Sequence, residues 1–330
     1  MPSLTIKLPS KINHDNTIDL IKVLESGNYA QNEIFLDVTQ VTSYQPHAIC
    51  MVAAQIDYWQ EKRIGVSLSY DDSSEFYFYL KKIGLVPNQY TNPKSKIAQS
   101  KASDYVPIEI INNLSRPESV ADTLATSAAE KGNSNDEVRQ LIRYAIIEFL
   151  MNVKQHSRAN GFIMSQYYPQ TGLYHIGVAD YGIGIRQSFI ESDSPFIKGR
   201  ETNNDAAWLD CAILPKFSSK THRRNPDGSR SDNHGVGLSI TRAFTQECLG
   251  RFQLISQYGI LDNDFVSAMD QNKDIPGKAK VMPYRYNGVA CSITFNPTIF
   301  GNCSYQQLRR DVLSQLGLNG NEADLDQFGS

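Results

Sequence analysis

Residues 142–185 restrict the fold more than any other part of the chain. They read IRYAIIEFLMNVKQHSRANGFIMSQYYPQTGLYHIGVADYGIGI: a helix, two strands, and an acidic residue followed by two glycines. Ile142, Ala145, Ile146, Phe149, Leu150 and Val153 recur at three-and-four spacing and predict one apolar helix face. Glu148 and Asn152 are four apart, so they stack one turn above the other. A carboxylate and an amide at one point suit the orienting of a water and the ligation of a hard cation. A polar edge on an amphipathic helix would use the same residue types. Segments 162–168 and 173–179 predict strands joined by the turn Pro169-Gln-Thr-Gly172. The second strand runs into Asp180-Tyr-Gly182-Ile-Gly184-Ile185. A buried carboxylate there can accept a hydrogen bond from an amino group such as that of adenine, and glycines let the backbone turn close to a ligand. Downstream, Asn233-His234-Gly235-Val236-Gly237-Leu238 opens an apolar helix. Free N–H groups at such a helix start attract anions.

These three pieces, in this order, resemble the ATP-binding domain of the GHKL superfamily. That group holds the ATP-hydrolysing half of DNA gyrase, the large heat-shock chaperones, mismatch-repair ATPases, histidine kinases and anti-sigma-factor serine kinases. Glu148-Phe-Leu-Met-Asn152 is similar to its N box, Asp180-Tyr-Gly182-Ile-Gly184 to its G1 box, and His234-Gly235-Val236-Gly237-Leu238 to its G2 box. The resemblance implies an α+β fold: a two-layer α/β sandwich of the Bergerat type over residues 115–301. It also implies Mg-ATP as cofactor. Asn152 would ligate Mg²⁺ and Asp180 would accept from the adenine amino group. Gly182 and Gly184 would let the chain pass the base and ribose. Gly235 and Gly237, with Val236 and Leu238 beside them, would set backbone N–H groups on the phosphates. Glu148 would be the catalytic base or orienter of the attacking water.

The rest of the chain sets bounds. A length of 330 residues suggests two domains, and 41% apolar with 20% charged residues is ordinary for a globular protein. A net charge of -3 does not indicate a nucleic-acid binder. No apolar run approaches the ~20 residues that span a bilayer, and the N-terminus has no charged-then-apolar leader pattern. A cytoplasmic protein without membrane attachment is expected. The five cysteines are scattered and form no C-x-x-C, which points to buried neutral thiols.

Residues 1–114 read as strands alternating with helices: strands at 4–8, 34–39, 64–68 and 105–111, helices at 18–24, 46–63 and 75–83. In the 46–63 helix, Ala48, Val52, Ile56 and Trp59 form one apolar stripe. The run LDVTQVTSYQPHAICMVAA is similar to the STAS fold of anti-sigma-factor antagonists, which makes this a smaller STAS-like α/β interaction domain. Where that family has its phosphorylatable serine, this chain has Gln45-Pro-His-Ala48. An unrelated α/β module packed on the ATP-binding domain would read the same way. Residues 91–103 are polar and basic and read as a loop. Ser115 and Glu118 have capping-box spacing at the start of a helix reaching about 130. The stretch 186–234 resembles the family's ATP lid; within it Lys220 is a candidate phosphate contact, and His234 is another beside the glycines. Residues 259–287 read as a polar insertion. A C-terminal helix near 306–316 and a disordered acidic tail would close the chain at 302–330.

No histidine before His156 stands in a His-Glu context on a long helix, which argues against an autophosphorylating histidine kinase. An ATPase working as a conformational switch on a protein partner or homodimer remains, in signalling or defence. So do a serine/threonine kinase or anti-sigma-like regulator, and an ATP-dependent scaffold without turnover.

Overall fold

A computed structural model describes residues 3–27, 32–85, 104–112, 115–191, 203–214, 237–265, 278–299 and 314. The N-terminal part is a βαβαβ unit. Strands β1 (Ser3–Lys7), β3 (Glu33–Asp37) and β5 (Gly65–Ser69) form a parallel sheet in the order β1-β3-β5. Helices α1 (Thr17–Ser26) and α2 (Pro46–Glu61) connect them, α3 (Glu75–Ile83) follows, and two-residue strands β2 (Lys11–Ile12) and β4 (Ser43–Tyr44) pair beside them. Period-two alternation turns Ile34 and Leu36 inward from β3, as expected of a strand with one buried face.

The C-terminal part centres on a five-stranded sheet, order β6-β7-β8-β10-β9, in which every neighbouring pair is antiparallel. Its strands are β6 (Tyr105–Ile111), β7 (Gly161–Tyr168), β8 (Leu173–Asp180), β9 (Arg251–Asp264) and β10 (Lys280–Phe295). Helices α4 (Pro117–Gly132), α5 (Asp136–Asn152) and α8 (Gly237–Glu247) cover one face. Their Leu124, Ile146, Phe149 and Phe244 pack on Ile163, Ile176, Leu254 and Phe295 of the strands. Helices α6 (Gly184–Glu191) and α7 (Asp205–Ala212) stack at one end through Phe189 and Trp208, ring centroids 5.5 Å apart.

The opposite face of this sheet is buried too. Phe162, Met164, Ala179, Ile255 and Ala290 join the core of the N-terminal unit. Helix α2 lies between the two sheets, and every residue from Pro46 to Ile56 is buried. The sequence pattern predicts one stripe on this helix; the structure buries it all round, because each sheet takes one side. The fold is therefore mixed α/β, with one parallel and one antiparallel sheet, stacked as helices, sheet, helices, sheet. Cys50, Cys248 and Cys291 are buried, and Cys211 is partly buried.

Several local expectations change. Strand β6 precedes the expected junction at 115, yet it forms an edge of the five-stranded sheet by pairing with β7. No capping box forms at Ser115: the N-cap of α4 is Arg116, without a side-chain cap bond, and Ser115 Oγ bonds the Ile110 carbonyl and the Asn112 N–H instead. The segment 259–287 is not wholly an insertion, because β9 runs on to Asp264 and β10 begins at Lys280. Strand β9 bends at Gln257 (φ 54°), after which Gly259, Leu261 and Asn263 alternate inward. Asp262 then meets Arg251 in a two-pronged ion pair. The lid stretch 186–234 contains most of α6 and all of α7; residues 192–202 and 215–236 lie outside the described residues, as do 91–103 and the tail. Among the described residues, no helix is long and apolar enough to cross a membrane.

Candidate functional site

Helix α5 starts where Asn135 accepts the Val138 N–H (3.0 Å), with Asp136 and Glu137 favourably placed in its first turn. Its apolar face sinks into the core, which leaves Glu148 and Asn152 half-buried on one edge. Both line a cleft with about 880 Å³ of empty space, its solvent-open mouth included. Past Asn152 the helix widens into a single π turn, Val153–Ser157, ended by Arg158 in the left-handed region (φ 62°). Such π bulges are frequent at functional sites. This one brings His156 to the cleft, where its Nδ1 lies 2.9 Å from Ser188 Oγ of α6. Arg158 pairs with Glu191 on the same helix.

Strand β8 delivers Asp180 to the cleft. Along β8, Tyr174, Ile176 and Val178 face the helix layer while Gly177 and Ala179 face the N-terminal unit, so strand periodicity sends the Asp180 carboxylate to the helix side. Asp180 is 2% exposed. Its carboxylate accepts the Gly182 N–H (2.8 Å) and the backbone N–H of Val289 on β10. Burial pushes its pKa up to about 7, and those two hydrogen bonds pull the other way. Tyr286 donates its hydroxyl to the Asp180 carbonyl (3.0 Å).

The turn after Asp180 is clamped from three sides. The Ile183 N–H bonds the Ser157 carbonyl (3.1 Å), and a Cβ on Gly182 would overlap that same carbonyl. Gly184 takes φ +77°, with Ser256 and Gln257 of the β9 bend closed against it. Ser256 Oγ accepts the Ile185 N–H (3.0 Å) and donates to the Gly288 carbonyl (2.9 Å). Tyr181 points to the opposite face, packs on Tyr58 of α2 (centroids 4.5 Å) and accepts from Asn287 Nδ2 (2.9 Å).

Gly237 opens α8 directly against Glu148: a Cβ there would overlap the Glu148 carboxyl. Burial raises the Glu148 pKa above the ordinary carboxylate value. Thus Glu148, Asn152, Asp180, Gly184, Gly237 and Leu238, predicted from three separate stretches, line one cleft. Gly182 stands one step behind it, on Asp180. Lys220, His234, Gly235 and Val236 lie outside the described residues.

His156, Ser188, Ser256 and Val289 were not predicted. The spacing 148, 152, 156 repeats every four residues and could have pointed to His156. Val289 contributes its backbone N–H, which no side-chain pattern discloses. Among the described residues no group of three His, Cys, Asp or Glu could hold a metal ion. A cation here would rest on Asn152, water and oxygens brought by a ligand, which fits Mg²⁺, a cation that keeps several waters and takes few protein ligands. No family model matches the chain, and no curated protein matches it.

Proposed function

We propose that the cleft binds Mg-ATP and that the protein hydrolyses it as a switch that alters its contacts with a protein partner or a second copy. The observation that carries this is the convergence of Asp180, the Glu148–Asn152 edge and the first residues of α8 on one cleft. Asp180 would receive the adenine amino group, with Val178, Leu254 and Cys291 as apolar neighbours of the base. The bent Gly182–Gly184 backbone, held by Ser157 and Ser256, keeps the wall beside that carboxylate in place. The start of α8 offers N–H groups to phosphate oxygens. Asn152 would hold Mg²⁺, which supplies charge neutralisation on the phosphates when bound. Glu148, its pKa raised by burial, is suited to orient or deprotonate water. The two layers of residues 104–299, helices on one antiparallel sheet, support the Bergerat-type expectation. The N-terminal unit would be the interaction module. At its STAS-like phosphorylation position His47 is 1% exposed, which argues against a phospho-switch there.

The test is ATP binding and phosphate release by the purified protein with Mg²⁺. Glu148→Gln should keep binding and lower turnover about a hundredfold or more, while Asp180→Asn should lose binding. Binding without release, with labelled phosphate appearing on a co-purifying protein, would favour the kinase instead. Absence of binding would remove the whole proposal.

A further inference from the structure

The sheet face turned away from the cleft carries a polar cluster that nucleotide chemistry does not use. His14, in the turn His14–Asn16, His47, in the first turn of α2, and His175, on β8, are 6%, 1% and 5% exposed. The His14 and His47 rings stack at 4.4 Å with an interplanar angle of 13°, and His175 lies 6.1 Å from His14. Their partners are neutral hydroxyls. His14 Nε2 meets Ser292 Oγ (2.8 Å), His47 Nε2 meets Thr17 Oγ1 (3.3 Å) and His175 Nδ1 meets Thr294 Oγ1 (3.2 Å). Tyr168 of β7 stands edge-on to His175 at 4.7 Å. His47 Nδ1 is buried without a partner.

The charged groups around the cluster are Arg251 and Asp262 on β9 and Asp15 beside His14. Arg251 pairs with both carboxylates at 2.7 Å. Gln253 ties this group to the stack, donating to Asp262 Oδ2 (3.0 Å) and accepting from Thr17 Oγ1 (3.1 Å). The groups acting on the three rings are one another and Arg251, while Asp15 and Asp262 are engaged by Arg251. A proton added to the stack would therefore meet two other imidazoles and a guanidinium, and on His47 Nδ1 it would have no acceptor.

We propose that this stack is an acid-sensitive fastener: proton uptake by His14, His47 and His175 loosens the N-terminal unit from the five-stranded sheet, while the helix layer on the other face stays packed. The three residues come from both sides of the seam between unit and sheet, and Gly177 of β8 touches the main chain of His47 at the same place. Burial lowers the pKa of His47 and His175 to about 3, and that of His14 well below its ordinary value. An exposed histidine titrates near 6.5. The closed form thus binds fewer protons than the open one. Its stability is complete above about pH 6.5 and is lost as pH falls toward 3. Each histidine favours opening by about tenfold per pH unit in that window. Three together shift the equilibrium on the order of ten-thousand-fold between pH 7 and pH 5.

The experiment is hydrogen exchange of the full chain at pH 7 and pH 5, corrected for the pH dependence of intrinsic exchange and read by peptide mass. Peptides covering 13–17, the start of α2 and 173–177 should lose protection at pH 5, while α4 and α5 keep theirs. Unchanged protection along the seam overturns the proposal. So does equal loss in α4 and α5, which is acid unfolding of the whole chain. His14→Gln and His47→Gln keep an amide near Nε2, and His175→Asn keeps one near Nδ1, none of them titrating. Each should shrink the acid response about twentyfold; a full response in all three refutes the fastener, and the wild-type comparison stands if a variant does not fold.

Discussion

Asp180 sits 2% exposed between two backbone N–H donors with a pKa near 7, so at neutral pH it is divided between its two forms. A ligand amino group needs the carboxylate. ATP affinity is therefore expected to fall about tenfold per pH unit below pH 7 and to level off above it, as measured by calorimetry. The same shift sets a stability signature. A carboxyl whose pKa is raised on folding stabilises the fold at low pH, and that contribution is lost as pH rises through the folded value. Between pH 6 and pH 8, Asp180→Asn should gain about 1.4 kcal/mol on the wild type in urea unfolding. No change across that range would mean Asp180 is not held as described. Gly177 is a second sharp test. An added methyl would meet the main chain of Pro46 and His47 rather than a movable side chain, so Gly177→Ala should cost about 3 kcal/mol of stability.

At the scale of elements, α5 is the most legible part of the chain. Its apolar spacing and the stacking of Glu148 over Asn152 are both readable in the sequence. The cap is local as well: Asn135→Ala should lower stability by about 1 kcal/mol in denaturant melts while leaving the pH profile of the cleft unchanged. The strands β7 and β8 were equally legible, because their runs and the turn at Gly172 (φ +67°) have local causes. What escaped depends on distant partners. The π turn at Val153–Ser157 forms where the turn after Asp180 docks on it. The far half of β9 looked like a polar insertion because Asp262, Asn263 and Asp264 follow one another, yet Arg251, eleven residues back, neutralises Asp262. The second buried side of α2 was hidden because His47 and Cys50 meet a sheet that lies more than 100 residues away in sequence, as the Cys50–Gly177 hydrogen bond shows.

For the whole molecule, two opposed proton linkages share one sheet. Asp180 on the cleft face favours the folded form as pH drops, and the three histidines on the other face oppose it. Each group is worth about 1.4 kcal/mol per pH unit within its own window. Three outweigh one, so between pH 6.5 and pH 4 the protein should lose stability overall, a slope that urea melts at several pH values can measure. Removing residues 1–103 should leave Phe162, Met164, Ala179, Ile255 and Ala290 facing water. Such a fragment is expected to self-associate in size-exclusion chromatography and to bind an apolar dye, whereas a monomeric, dye-free fragment would show that the sheet closes without its cover. Helix α2, finally, has no side of its own to spare. Each of its two sides is fitted to a different sheet, so it cannot be exchanged as part of a detachable cassette. Anyone building a chimera that replaces the N-terminal unit would have to transplant β7, β8 and the surface of β10 along with it, and homologous shuffling across the join at residue 104 should yield few folded progeny.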